Sequence, residues 1–266
     1  MLRVRANVTL SSGAANELAA LQAKVDGEAD YPARVAAAKR RWGNTKKRES
    51  PFDEVTTALD KMCWGHRRCA YCEDSLADVI EHFWPKDLYP ERVFAWENYL
   101  YACGPCNGPK GNAFAILPPG STNAIEVARG TQTPIVPPIV GDPALLDPRR
   151  DDPLDFLELD LVETFRFRER TGIAPRDRER ARYTIVTLGL NARSAVIDAR
   201  RTAYDLLLLA LESVVTRVRE QRPLDHARRV VENTSHRSVW EEMKRQHTRL
   251  PELTLPFSVA PIALDW

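Results

Sequence analysis

Two Cys-x-x-Cys pairs, Cys69-Ala70-Tyr71-Cys72 and Cys103-Gly104-Pro105-Cys106, constrain this chain more than any other feature. Such a turn presents two thiolates to one tetrahedral ion, and two turns complete a four-cysteine zinc site with Zn–S bonds of about 2.3 Å. The stretch between the pairs, roughly thirty residues, is longer than the roughly fifteen to twenty of a simple ribbon, so something is inserted between the knuckles. A core of about fifty residues is marginal without such a staple. The chain holds five cysteines, an odd number. Its start, MLRVRANVTLSSG, lacks the apolar core and small-residue cleavage site of a signal peptide, which predicts a cytoplasmic location and favours metal over disulfides. Cys63 falls on an apolar face with Leu59 and Met62 and reads as a buried small hydrophobe. His66 lies near the first pair, but four thiolates leave it no vacancy.

Charge sets a second limit. Lys and Arg number 38 against 37 Asp and Glu, a formal net charge of +1. Free-standing nucleic-acid binders are as a rule strongly basic, so such a function here needs a locally basic face or a partner. With 44% hydrophobic and 28% charged residues the chain is an ordinary globular protein, which excludes a mostly disordered one. The longest apolar run, Leu206 to Leu211, is far short of the roughly twenty residues of a membrane-spanning helix.

Helical spacing of Ala14, Leu18, Leu21 and Val25 behind Ser11 and Ser12 predicts a capped amphipathic helix over residues 10–27. A second helical piece over 33–42 runs into a basic stretch with Lys39, Arg40, Arg41, Lys46, Lys47 and Arg48, either a solvated linker or a phosphate-contacting arm. Pro51 and Asp53 open a third helix with Val55, Leu59 and Met62 on one face. Prolines and glycines from Pro118 to Pro153 mark an extended connector. Apolar and polar residues alternate from Phe156 to Arg168 on both sides of Val162-Glu163, as in a short hairpin. Arg176 to Leu188 reads as a helix, and Asn191 is placed to cap a long one from Ala192 to about Gln221. A weaker helical signal covers 224–247, and the tail from Pro251 shows no periodicity. The expected fold is α+β in four parts: a helical N-terminal segment with a basic arm (1–60), the zinc-stapled module (61–117), a Pro-rich connector (118–153), and a mostly helical C-terminal domain with a short β-hairpin (154–266).

The module carries the chemistry. Val79-Ile80-Glu81-His82-Phe83-Trp84-Pro85-Lys86 follows the first pair, Trp96-Glu97-Asn98-Tyr99-Leu100 precedes the second, and Asn107-Gly108-Pro109-Lys110-Gly111 follows it. The order Glu-His, Asn, Cys-x-x-Cys-Asn-x-x-Lys resembles the HNH (ββα-metal) endonuclease motif, with Glu81 in place of the usual Asp and Asn107 in place of the last His. The resemblance implies hydrolysis of phosphodiester bonds, which needs an activated water and a charge sink for the leaving oxyanion. His82 is then the general base, since imidazole titrates near neutrality. Glu81 and Asn107 offer oxygens to Mg²⁺ or another divalent ion. Asn98 orients the His82 ring, and Lys86 and Lys110 meet phosphates. Each has a plainer reading: a structural histidine, a surface carboxylate, a helix cap at Asn107, solvated lysines.

The strings Cys-Ala-Tyr-Cys-Glu, Ile-Glu-His-Phe-Trp-Pro-Lys, Trp-Glu-Asn-Tyr-Leu-Tyr-Ala-Cys and Cys-Asn-x-x-Lys-Gly resemble the HNH endonucleases of the Septu and retron anti-phage systems. So do Leu-Leu-Asp-Pro-Arg at 145–149 and Thr-Ile-Val-Thr-Leu-Gly-Leu-Asn at 184–191. The likeness, over roughly residues 50–205, implies a nuclease effector that cuts nucleic acid, DNA by default, beside an ATPase partner. A partner would supply the phosphate grip that a charge of +1 does not. The local alternative is a basic face made by the arm and by Arg166, Arg168, Arg170, Arg176, Arg178 and Arg180, unless neighbouring acids pair with them. A competing reading from another class is a non-catalytic zinc ribbon that binds nucleic acid or a protein.

Overall fold

The computed structural model describes residues 1–5, 7–45, 49–129 and 134–266. Lys46, Lys47 and Arg48, three residues of the expected basic arm, lie outside them. Ser11 caps helix α1 (Ser12–Asp26), its Oγ accepting from the Ala14 amide at 3.2 Å. Asp30 caps α2 (Tyr31–Asn44) in the same way at 2.8 Å, with a proline in the first turn, where its missing N–H leaves no hydrogen bond unmade. Helix α3 (Phe52–Met62) buries the stripe Phe52, Val55, Leu59 and Met62. These residues form a small core with Leu18, Val25, Phe94, Tyr99 and Tyr101. The N-terminal segment is thus packed against the module rather than hanging from it.

Strands β1 (Val79–His82) and β2 (Tyr99–Ala102) pair antiparallel, with Glu81 opposite Leu100 and His82 opposite Tyr99. Helix α4 (Gly104–Lys110) follows directly and packs on β1, which completes a ββα unit around the cysteines. Strand β3 (Ala115–Leu117) then lies between β4 (Ile125–Glu126) and β5 (Asp142–Pro143). After the short helix α5 (Pro153–Phe156), β6 (Leu157–Leu159) and β7 (Phe167–Glu169) make the expected hairpin, with Leu159 opposite Phe167. Its loop is held by Asp160, which accepts from the amides of Val162, Glu163 and Thr164. Helices α6 (Pro175–Thr187), α7 (Ser194–Arg219), α8 (Asp225–Asn233), α9 (Arg237–Gln246) and α10 (Pro251–Val259) complete the α+β fold.

Three sequence expectations change on the structure. The Pro-rich connector is partly core: Ala144, Leu145 and Leu146 are fully buried, and the Leu146 amide donates to Thr184 Oγ1 at 2.9 Å. They join a larger core that also takes in Tyr71 and Phe83 of the module and Leu207, Trp240 and Phe257 of the C-terminal helices. Leu145→Ala is therefore expected to cost about 2–5 kcal/mol in urea denaturation, against about 0.5 kcal/mol or less at a solvated linker position. Asn191 does not cap α7; the N-cap is Arg193. The Asn191 carboxamide instead accepts from Phe167 N at 2.9 Å and donates to Phe167 O at 2.7 Å, standing in for a third strand beside β7. The tail forms α10, where Pro251 opens the helix and Leu253 and Phe257 are buried one turn apart. Its two prolines hide that spacing in the sequence.

Candidate metal centre and active site

The four cysteines of the two pairs meet. Their sulfurs all lie within 4.8 Å of one another, and all four residues are buried. Cys72 and Cys103 are 3.8 Å apart, the edge of a tetrahedron with bonds of about 2.3 Å and well beyond the roughly 2.05 Å of a disulfide. The first knuckle closes through Glu73, which adopts a positive φ of 62° and returns its amide to Cys69 O at 2.9 Å. The second opens α4, with Cys103 at the N-cap and the Cys106 and Asn107 amides both returning to Cys103 O. Hydrogen bonds among the sulfurs push the thiols apart in acidity, with Cys72 lowered, Cys103 lowered to about 7, and Cys69 and Cys106 raised. A soft tetrahedral ion replaces such shared protons, so the set fits zinc. His66 is exposed and apart from the cluster. Cys63, expected to be buried, is half-buried, its thiol shared between the carbonyls of Leu59 and Arg68.

Beside this centre Glu81 and His82 part company, because successive strand residues point to opposite faces. Glu81, 5% exposed, turns towards α4, where Lys110 Nζ lies 2.5 Å from its Oε1. Burial pushes the Glu81 carboxyl above its ordinary value, against the pull of Lys110. Lys110 is fully buried and also donates to the His82 carbonyl at 3.0 Å. Its place as an exposed phosphate contact is thereby corrected: desolvation of the ammonium is offset by a carboxylate, not by solvent or substrate. Asn107 lies about one turn earlier on α4 and is partly exposed. A hard divalent ion on Glu81 and Asn107 has to take the carboxylate from Lys110 or share it. Removing the cation leaves a buried carboxylate alone, so Lys110→Met should lower stability by about 3–5 kcal/mol. Thermal melts with and without magnesium check it, magnesium restoring part of the loss.

His82, 6% exposed, turns the other way. Its Nε2 is 2.9 Å from the Val93 carbonyl, which can only accept, so that nitrogen carries the proton and Nδ1 is the basic one in the neutral ring. Tyr99 OH donates to the same carbonyl at 2.8 Å, and the Trp42 ring of α2 packs edge-on against the imidazole with centroids 4.2 Å apart. Asn98, expected to orient the ring, spends its carboxamide on backbone groups. Its carboxamide accepts from Trp84 N at 2.7 Å and donates to Trp84 O and Arg92 O. It braces the 84–92 loop, which leads to Val93, and so acts on His82 at one remove.

Part of the chain is similar to a Septu protein. Over 62 residues it is 45% identical to Septu protein PtuB of Bacillus thuringiensis, a match that covers 21% of this chain and 23% of that protein. The match thus spans less than a quarter of the relative's length. No family model matches the chain, and no solved structure matches it significantly.

Sequence reasoning missed three contributors to the site. Trp42 reads as the end of the second helical piece, and nothing in its spacing shows that it covers His82. Arg149 donates to Trp96 O at 2.8 Å and Tyr99 O at 2.7 Å and stacks 4.4 Å over the Trp96 ring, fixing the start of β2. Arg193 donates to Cys106 Sγ at 3.1 Å. The Leu-Leu-Asp-Pro-Arg string is the available signal for Arg149. Asp147 in that string is 3% exposed, accepts from the Arg149 amide at 2.9 Å, and is pushed up to about 6 by burial. Its folded value lies above the unfolded one near 3.9, so its favourable contribution is present below about pH 4 and lost as pH rises through about 6. Asp147→Asn should flatten the stability slope between pH 4 and 7, a change on the order of 2–3 kcal/mol in urea titrations at the two pH values.

The expected nucleic-acid contacts are scattered. Arg40 is exposed and 3.5 Å from Glu28, Lys86 is 3.7 Å from Asp87, and Arg41 is partly buried. Lys39 bridges α2 to Asp87 at 3.0 Å. Arg168 pairs across the hairpin with Glu158, Arg176 with Asp142 and Arg180 with Asp151. These arginines are paired within the fold, though not with the acids nearest in sequence.

Proposed function

We propose that the chain is a metal-dependent endonuclease that hydrolyses phosphodiester bonds of nucleic acid, DNA by default, as the effector of an anti-phage defence system with an ATPase partner. The observation that carries this reading is a cluster of four cysteine sulfurs built into a ββα unit whose first strand ends in Glu81-His82 and whose helix holds Asn107. The similarity to a Septu protein and the longer resemblance of residues 50–205 support the defence setting.

In this reading Cys69, Cys72, Cys103 and Cys106 hold a structural zinc. His82 takes a proton from water at Nδ1 while the Val93 carbonyl fixes the ring through Nε2. Asn98 holds the loop that leads to Val93, and Arg149 holds the strand opposite. A divalent ion such as magnesium, held by Glu81 and Asn107, would neutralise charge on the leaving oxygen. Near-balanced charge and the cover over His82 both favour weak cutting by the isolated chain, with substrate capture supplied by the partner.

A second reading, a non-catalytic zinc module that binds nucleic acid or protein, draws on the burial of both Glu81 and His82. Divalent-dependent cleavage of plasmid DNA and of RNA by wild type and His82→Ala, with the partner present, separates the two. Loss of cutting in the variant supports the nuclease. Equal cutting by both removes His82 from the chemistry, and no cutting by zinc-loaded wild type supports the binding module.

A further inference from the structure

We infer that Arg193 is a positioning residue for the four-cysteine centre, tying the start of the long helix α7 to the second cysteine pair so that metal loading and docking of the C-terminal helices depend on each other. The inference rests on the reading of the centre as a zinc site. Four thiolates around a divalent ion leave a net charge of −2 on a cluster whose residues are all buried. A guanidinium donating to a thiolate removes part of that charge through a charge-assisted hydrogen bond, as outer-shell partners of metal ligands do. Arg193 Nη2 reaches Cys106 Sγ at 3.1 Å from a position 87 residues away in the chain.

The backbone fixes that reach. Gly189 takes a positive φ of 56° to close the turn after α6, and Ala192 N returns to Gly189 O at 3.0 Å. Arg193 O then accepts from Val196 N at 3.2 Å and Ile197 N at 3.3 Å, which anchors the residue as the N-cap of α7. The first cysteine pair has its own tie. Glu73, directly after Cys72, accepts from Ser238 N at 3.0 Å and from Ser238 Oγ at 2.5 Å at the start of α9. Each knuckle is therefore held by a different C-terminal helix, and the four sulfurs lie at their junction with the module.

The test compares wild type, Arg193→Ala, Arg193→Lys and the same-helix control Arg201→Ala, an exposed arginine that donates to Glu163 O. Zinc release to a chromophoric chelator is timed, and the near-ultraviolet thiolate-to-cobalt band is recorded after cobalt substitution. Arg193→Ala should release zinc about 10- to 100-fold faster and shift the cobalt band to lower energy, because the sulfur regains electron density. Arg193→Lys should restore part of both, and Arg201→Ala should match wild type. Unchanged release and an unchanged band in folded Arg193→Ala overturn the inference. Faster release with an unmoved band also overturns it, since that marks a merely structural arginine. Wild type that binds neither zinc nor cobalt overturns the zinc reading itself, a result told apart because it appears before any variant is made.

Discussion

Cys69→Ser is expected to yield a chain without bound metal whose ββα module no longer protects its amides from hydrogen exchange. Apparent binding free energies of structural zinc are about 10–16 kcal/mol, comparable with or larger than the roughly 5–15 kcal/mol that hold a whole domain folded. The module's own secondary structure supplies little beside it. Strands β1 and β2 have four residues each and α4 seven, all below the length at which they persist alone. The C-terminal helices have other support, because α7 packs on α8, α9 and α10. Loss should therefore be graded: protection gone across 69–110, weakened at the starts of α7 and α9 where Arg193 and Ser238 meet the knuckles, and retained in the body of α7. A strong chelator on wild type should reproduce the pattern, and elemental analysis should find about one zinc per chain. A metal-free Cys69→Ser chain with wild-type protection and melting temperature would defeat the staple.

What the sequence discloses about this site depends on how each group is held. The cysteine cluster is legible because a tetrahedral ion dictates ligand type and spacing within short turns, and Cys69, Cys72, Cys103 and Cys106 meet as expected. The hairpin at 157–169 is legible through period-two alternation. Asn98 and Lys110 are visible as motif members, yet their side chains serve backbone carbonyls and a carboxylate in the interior. A motif records which residues are present and not which way they turn. The contacts of Arg149, Arg193 and Trp42 are invisible for a different reason: each acts across a long stretch of chain on a group that only tertiary packing brings near. Polar residues that look like surface, such as Asn191 against Phe167, are likewise recruited to satisfy exposed strand edges.

His82→Ala should reduce cleavage of nucleic acid by the loaded protein with its partner by about 10²- to 10⁴-fold, the usual worth of a positioned general base. The arrangement explains why the effect belongs to the side chain and not to the fold. The ring sits between Trp42 and Tyr99, and its Nε2 meets the Val93 carbonyl, which Tyr99 OH also serves. His82→Ala therefore leaves that carbonyl with a donor, and its cost in stability should be that of lost packing, about 2–4 kcal/mol or less. Melting curves and zinc content establish that the variant is folded and loaded before activity is compared. Asn98→Ala provides the contrast. It frees Trp84 and Arg92 backbone groups, so it should loosen the 84–92 loop and lower activity together with stability, whereas His82→Ala lowers activity far more than stability. Because Trp42 covers the imidazole, Trp42→Ala should increase modification of His82 by diethyl pyrocarbonate, read by peptide mass mapping against exposed His66. A folded, zinc-loaded His82→Ala chain that cuts at the wild-type rate would remove His82 from the chemistry and leave the cluster a structural or binding centre.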